Sequence, residues 1–161
     1  MTPQELPAYL ARLKKKVGEE GPPRAAHGMA RAFHAEVSNV TLVESSHARG
    51  TRTPAAAGEP PSLISGALKR SLRLYAAVRL SAYKAMSHVK PLIVYARIQE
   101  LGGTIRPRDA KALSWVMGGK RYFAQQVTLP ARPYMRPTHR QMVANGKLRD
   151  AAIKAVRGLI P

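Results

Sequence analysis

The chain contains no cysteine. That absence excludes disulfides, thiolate nucleophiles and cysteine-based zinc sites together. Acidic residues are also scarce: 9 Asp and Glu stand against 27 Lys and Arg in 161 residues, a formal net charge of +18. Hydrolytic chemistry asks for paired carboxylates, a nucleophile with its base, or a metal. After Pro61 the chain offers only Glu100, Asp109 and Asp150. Glu100 and Asp109 flank a Gly-Gly turn, and in so cationic a segment their expected role is pairing with Arg97, Arg106 or Arg108. An enzyme such as a nuclease is therefore disfavoured. Long apolar runs are missing too, for Pro91 to Ala96 falls far short of the ~20 residues that span a bilayer. Met1 to Lys16 has no apolar core of a secretory signal. The five histidines, His27, His34, His47, His88 and His139, fall in separate segments without a ligand motif, so neither a metal nor another cofactor is expected.

What is present belongs to a folded protein: 45% hydrophobic and 22% charged residues suit one globular domain over residues 1–161. The charge is uneven. Up to Pro61 there are 8 basic and 6 acidic residues, giving +2; beyond it 19 basic and 3 acidic residues give +16. A sequence pI near 11.1 favours a polyanion nearby, and its partner should meet the second part.

Thr2-Pro3-Gln4-Glu5 reads as a capping box. Leu6, Leu10, Leu13 and Val17 form an apolar helical stripe that Gly18 and Gly21-Pro22-Pro23 should end. Met29, Phe33, Val37 and Val40 form a second stripe over about Arg24 to Glu44, so residues 1–46 read as a helical hairpin. Residues 47–61 (HARGTRTPAAAGEPP) contain no large apolar side chain and read as a flexible loop. Ser62 to Ser71 suits a short helix. Leu72 to Ala82 then alternates as one strand buried on one face, with Arg73 and Arg79 on the exposed face. Lys84 to Lys90 is its expected partner, and Pro91 should open a helix stopped by Gly102-Gly103. Ala112–Met117 and Tyr122–Leu129 around Gly118-Gly119 read as a β-hairpin. Pro130-Ala131-Arg132-Pro133-Tyr134-Met135-Arg136-Pro137 reads as an extended connector, and a rod of about 22 residues from Thr138, weakened at Gly146, should close the chain. The expected class is α+β: a small antiparallel sheet packed with a long C-terminal helix, preceded by N-terminal helices and a flexible loop, with residues 62–161 as the core.

Tyr75, Tyr83, Tyr95, Tyr122 and Tyr134 interleave with Lys and Arg, as bases stacked on a basic surface would require. No zinc-finger, helix-turn-helix or RNA-recognition signature accompanies them, so any nucleic-acid contact should be nonspecific and salt-dependent. A small basic nucleic-acid-binding protein is one reading of that pattern.

Three segments together point elsewhere. Ser65-Gly66-Ala67-Leu68-Lys69-Arg70-Ser71-Leu72, Tyr95-Ala96-Arg97-Ile98-Gln99-Glu100-Leu101-Gly102-Gly103 and Pro130 to Pro137 stand in an order and spacing that resembles the neck, or tail-completion, family of tailed bacteriophages. That family carries a TGxLRxSI-like helix start, a YAxxxExG helix and an xPARPFLRPA connector. Here Ser65 replaces Thr, Tyr134 replaces Phe and Thr138 replaces a small residue. The resemblance covers about residues 62 to 160. It implies a non-enzymatic virion protein, assembled in the host cytoplasm into a hexameric or twelvefold ring at the head-tail junction. Its partners would be a connector or stopper ring, the tail tube or terminator protein, and DNA passing through without being read; no membrane is involved. On this reading Arg132, Tyr134, Met135 and Arg136 contact a neighbouring subunit or ring, and Arg73, Arg79, Lys120 and Arg121 face the lumen and its DNA.

Overall fold

In a computed structural model that describes residues 5–43 and 53–160, Gly18 and Gly21-Pro22-Pro23 do not end the first helix. α1 runs from Leu6 to Glu36 with both prolines inside it, and a π-helical turn, Val37–Thr41, continues it. The expected helical hairpin is therefore one rod. Interior proline costs a helix about 3 kcal/mol, because it cannot donate to the carbonyl four residues back. Here the carbonyls that Pro22 and Pro23 leave open belong to Gly18 and Glu19. Arg79 supplies the missing donors: its Nη2 reaches Gly18 O at 3.3 Å and its Nη1 reaches Glu19 O at 3.1 Å. A residue sixty positions away thus carries the helix through its weakest point. The first three residues of the capping box lie outside the described residues, as does the 44–52 part of the helix end and loop. Residues 53–61 are irregular but attached: Ala55 and Pro61 are buried, and Gly58 donates its N–H to Ala131 O at 2.9 Å.

The chain after Gly66 is α+β, as the sequence indicates. α2 (Ala67–Ser71) leads into β1 (Leu72–Leu74), followed by β2 (Val78–Arg79), β3 (Ala85–Met86), β4 (Val89–Pro91), α3 (Ala96–Leu101) and β5 (Gly103–Ile105). Then come β6 (Leu113–Met117), β7 (Lys120–Ala124), β8 (Val127–Leu129), α4 (Met135–Ala144) and α5 (Lys147–Arg157). The strands form four separate antiparallel ribbons, β1-β4, β2-β3, β5-β8 and β6-β7. The single strand expected over 72–82 is divided. β1 pairs with β4 as far as the Tyr75 N–H to His88 O bond, the ladder lapses, and Val78 then opposes Met86 in a second ribbon. Its apolar side is not buried, because no layer of the described chain covers Val78 or Leu80.

Pro91 closes β4 instead of opening a helix, since Leu92 N–H still bonds Ser71 O and α3 begins only at Ala96. Gly118 and Gly119, with φ of 58° and 79°, form the primed turn that joins β6 to β7, as their sequence predicts. The C-terminal rod is two helices. Gly146 adopts φ 75°, Asn145 Oδ1 accepts Lys147 N–H, and α5 turns to lie along α1. That crossing is close at Gly28, where an added Cβ would stand 2.6 Å from Ala155 Cβ. The core gathers Val37 and Leu42 from the end of the α1 rod, Leu68 and Leu72, Ala96, and Tyr134.

Candidate functional site

The three family-like segments meet in that core. Leu68 and Leu72 come from the first, Ala96 from the second and Tyr134 from the third. Hydrogen bonds fasten the second to the third. Helix α4 begins with Tyr134 as its N-cap and Pro137 as its third residue, so of its first four positions only Tyr134, Met135 and Arg136 have an N–H to satisfy. Glu100 takes all three: Oε2 accepts from Tyr134 at 2.8 Å and Met135 at 3.0 Å, and Oε1 accepts from Arg136 at 2.9 Å. A carboxylate at a helix N-terminus is favoured both by the helix dipole and by charge-assisted bonding. Glu100 is thus a cap delivered by α3 to a distant helix, and the pairing expected with Arg97, Arg106 or Arg108 is not its arrangement. Arg106 instead donates to Gln126 Oε1 at 3.2 Å.

Gly102 completes the junction. Its φ is 68°, and an added Cβ would lie 2.7 Å from Ala131 N and 3.0 Å from Leu129 O, so only glycine lets α3 end against this strand exit. Arg132 N–H donates to Gln99 O at 2.6 Å, and Arg132 Nε donates to Ala55 O at 2.7 Å. Thr138 gives its hydroxyl proton to Tyr134 O at 2.6 Å, which leaves Thr41 as the donor in the 2.7 Å bond between the two threonine hydroxyls. Burial pushes the Tyr134 phenol well above its usual pKa, and the nearby Glu100 and Tyr95 add to the shift.

The four residues expected at a subunit contact therefore separate. Tyr134 is 1% exposed and belongs to the core. Arg132 is half-buried and committed to Gln99 and Ala55. Met135 is partly buried against the core, and Arg136 is exposed; the two border an open groove of ≈ 400 Å³ shared with Ile93 and Val94. The connector also ends sooner than expected, because Met135, Arg136 and Pro137 are the first turn of α4. Among the four expected lumen residues, Arg73 folds back to donate to Arg70 O at 3.0 Å. Arg79 spends its guanidinium on α1 and on Ser81 O. Lys120 and Arg121 are exposed at the β6-β7 turn and make no side-chain hydrogen bond or ion pair among the described residues.

The hairpin carrying those two cations is exposed over most of its length. Its register puts Leu113, Trp115, Met117, Lys120, Tyr122 and Ala124 on one face, and Ser114, Val116, Arg121 and Phe123 on the other. Trp115 and Tyr122 lie nearly parallel, ring centres 5.9 Å apart. Met117 is 62%, Val116 63% and Phe123 67% exposed. The sequence marks this hairpin, but the second strand expected over Tyr122–Leu129 is divided: β7 ends at Ala124, and Val127–Leu129 pairs with β5 instead.

Among the described residues no group of three or more metal-ligating side chains comes together, and no helix is long and apolar enough to cross a membrane. No family model, curated protein or solved structure matches the chain.

Proposed function

We propose that this chain is a non-enzymatic structural subunit of the neck of a tailed bacteriophage, assembling as a ring at the head-tail interface through which DNA passes. One observation carries the assembly half of that reading: the β6-β7 hairpin is apolar and exposed on both faces. A two-stranded ribbon is marginal in water by itself, and uncovered apolar surface of this kind marks an interface with protein. The neck half rests on the resemblance of residues 62–160, supported by the way its three segments lock together through Glu100, Gly102 and Tyr134. Neighbouring connector, tail-tube or terminator proteins are the partners this role requires, and the virion is its location.

Size measurement and electron microscopy of the purified protein test the assembly half, with closed rings as the expected result. Particles made without the protein should fail to join heads to tails and recover on its addition. A second reading, a small nonspecific nucleic-acid-binding protein, is favoured by the unpaired Lys120 and Arg121 and by the +16 carried after Pro61. A protein that stays monomeric and binds DNA with a steep salt dependence supports this second reading and removes the first.

A further inference from the structure

The groove of ≈ 400 Å³ where β4, α3 and α4 meet has an aliphatic floor of Ile93, Val94, Ala96, Leu101 and Met135. Val94 sits in the turn between β4 and α3 and is 97% exposed. Turns favour Gly, Asn, Asp and Ser, and a valine so exposed buries next to nothing in its own chain. Three cations border the groove: Lys90 of β4, Arg97 of α3 and Arg136 of α4, all exposed. None of their side chains makes a hydrogen bond or an ion pair among the described residues. Lys90 also stands directly across the ladder from Arg73, a like-charge pair that weakens a ribbon when no anion lies by it. Glu100, the acid in the groove wall, is already spent, since its two oxygens accept from the first turn of α4.

We infer that this groove docks a short segment of another protein in which an aliphatic side chain is flanked by carboxylates. The aliphatic group covers the floor at Val94, and the carboxylates meet Lys90, Arg97 and Arg136. Charge complementarity selects this occupant, because the groove offers three cations without partners and an acid that is already bonded. A second copy is poorly supplied with such a segment: of its 9 acids, Glu20, Glu36, Glu100 and Asp150 are bonded within the chain. Nucleic acid would satisfy the cations and leave the floor uncovered. Bases stack on exposed aromatic faces, and the aromatic residue lining this groove, Tyr134, is 1% exposed. The surface is separate from the β6-β7 hairpin that carries the ring reading, and it needs no ring.

Selection from a ribosome-displayed library of short random peptides on the dilute full-length protein tests this. The peptides returned should combine an aliphatic residue with several acids; an empty selection, or peptides without acids, overturns the inference. One selected peptide, synthesised with a fluorescent label, then serves as the probe at physiological ionic strength, where distant charges are screened. Arg97→Glu with Arg136→Glu should weaken its binding about tenfold, the scale of two exposed ion pairs. Val94→Ser should weaken it about fivefold through lost apolar contact. Lys120→Glu with Arg121→Glu makes the same change in net charge on the hairpin and should leave binding within about twofold of the parent. All five positions are exposed, and an unchanged denaturant midpoint shows that each variant is folded. Equal losses in the two charge variants, with none in Val94→Ser, would mean attraction to net charge alone and would overturn the docking. A DNA duplex whose affinity falls in the Arg97-Arg136 variant and not in the hairpin variant assigns the groove to nucleic acid instead, and self-association that is lost in Val94→Ser assigns it to a second copy. A protein that forms no rings yet binds the peptide as described loses the ring reading and keeps this one.

Discussion

The junction of the three family-like segments and the β6-β7 hairpin are built from similar material and treated in opposite ways. Both contain an aromatic residue within a short apolar run next to arginine. At the junction Tyr134 is enclosed, every N–H in the first turn of α4 is taken by Glu100, and Gly102 admits a strand exit at backbone contact. On the hairpin Trp115, Tyr122 and Phe123 remain accessible, and two cations have no side-chain partner among the described residues. The difference teaches that a sequence motif and a contact surface need not coincide. The residues that carry the resemblance hold the fold, and the exposed apolar surface of the β6-β7 hairpin lies outside those segments.

The largest way to break the comparison is at Tyr134. Replacing this enclosed side chain with alanine leaves a cavity, and Tyr134→Ala should cost about 3–5 kcal/mol, seen as a large fall in the denaturant midpoint. That substitution therefore tests the fold, and Arg136→Ala, at an exposed position, is the variant that tests a subunit contact from this segment. Tyr134→Phe isolates the phenol. Its raised pKa means that the unfolded chain ionises first as pH climbs past about 10, so this residue's contribution is fully present below that pH and is lost above it. Chemical denaturation from pH 9 to 11 should show a shallower alkaline loss in Tyr134→Phe than in the parent; identical slopes would contradict the burial described for the phenol.

Next in size is Glu100. Glu100→Ala strands three backbone donors at the start of α4 and should cost about 2–3 kcal/mol, with Glu100→Gln between it and the parent because the amide oxygen can still accept. Hydrogen exchange at Tyr134, Met135 and Arg136 reads the same loss locally. If those amides keep their protection in Glu100→Ala, the cap is not what holds them.

Arg79 gives a smaller, conditional effect of about 1 kcal/mol, the usual net worth of such bonds. It should vanish when Pro22→Ala and Pro23→Ala restore the N–H groups that the carbonyls of Gly18 and Glu19 lack. A double-mutant cycle reads that coupling, and equal costs in both backgrounds would show that Arg79 stabilises the molecule in some other way.

Why some of this was legible in the sequence and some was not follows from range. The β6-β7 hairpin announces itself through Gly118-Gly119, because a primed turn needs positive φ at two adjacent residues and the strands flank it directly. The end of α3 at Gly102 is equally local. The continuity of α1 is not: Gly-Pro-Pro is a stop signal on its own terms, and only a guanidinium from β2 changes the outcome. Glu100 was visible as an isolated acid in a basic segment, and its bonding to residues 134–136 depends on how α3 and α4 meet. The same holds for Tyr134, whose place beside Pro-Ala-Arg-Pro suggested a surface connector until the packing of Ala96 and Leu72 enclosed it.

The smallest effect on stability, and the one that sharpens the comparison most, belongs to the hairpin. Phe123→Ser removes an apolar ring that is 67% exposed, so the monomer should change by no more than about 0.5 kcal/mol, the range of an ordinary surface substitution. Oligomerisation should respond very differently, because an interface loses its burial when such a ring becomes a hydroxyl. A stability change as large as that of Glu100→Ala would mean that the hairpin packs within its own chain, and would erase the contrast between the two regions. An unchanged midpoint in dilute protein, together with weakened self-association on sizing columns, separates a residue that holds the fold from one that meets a partner.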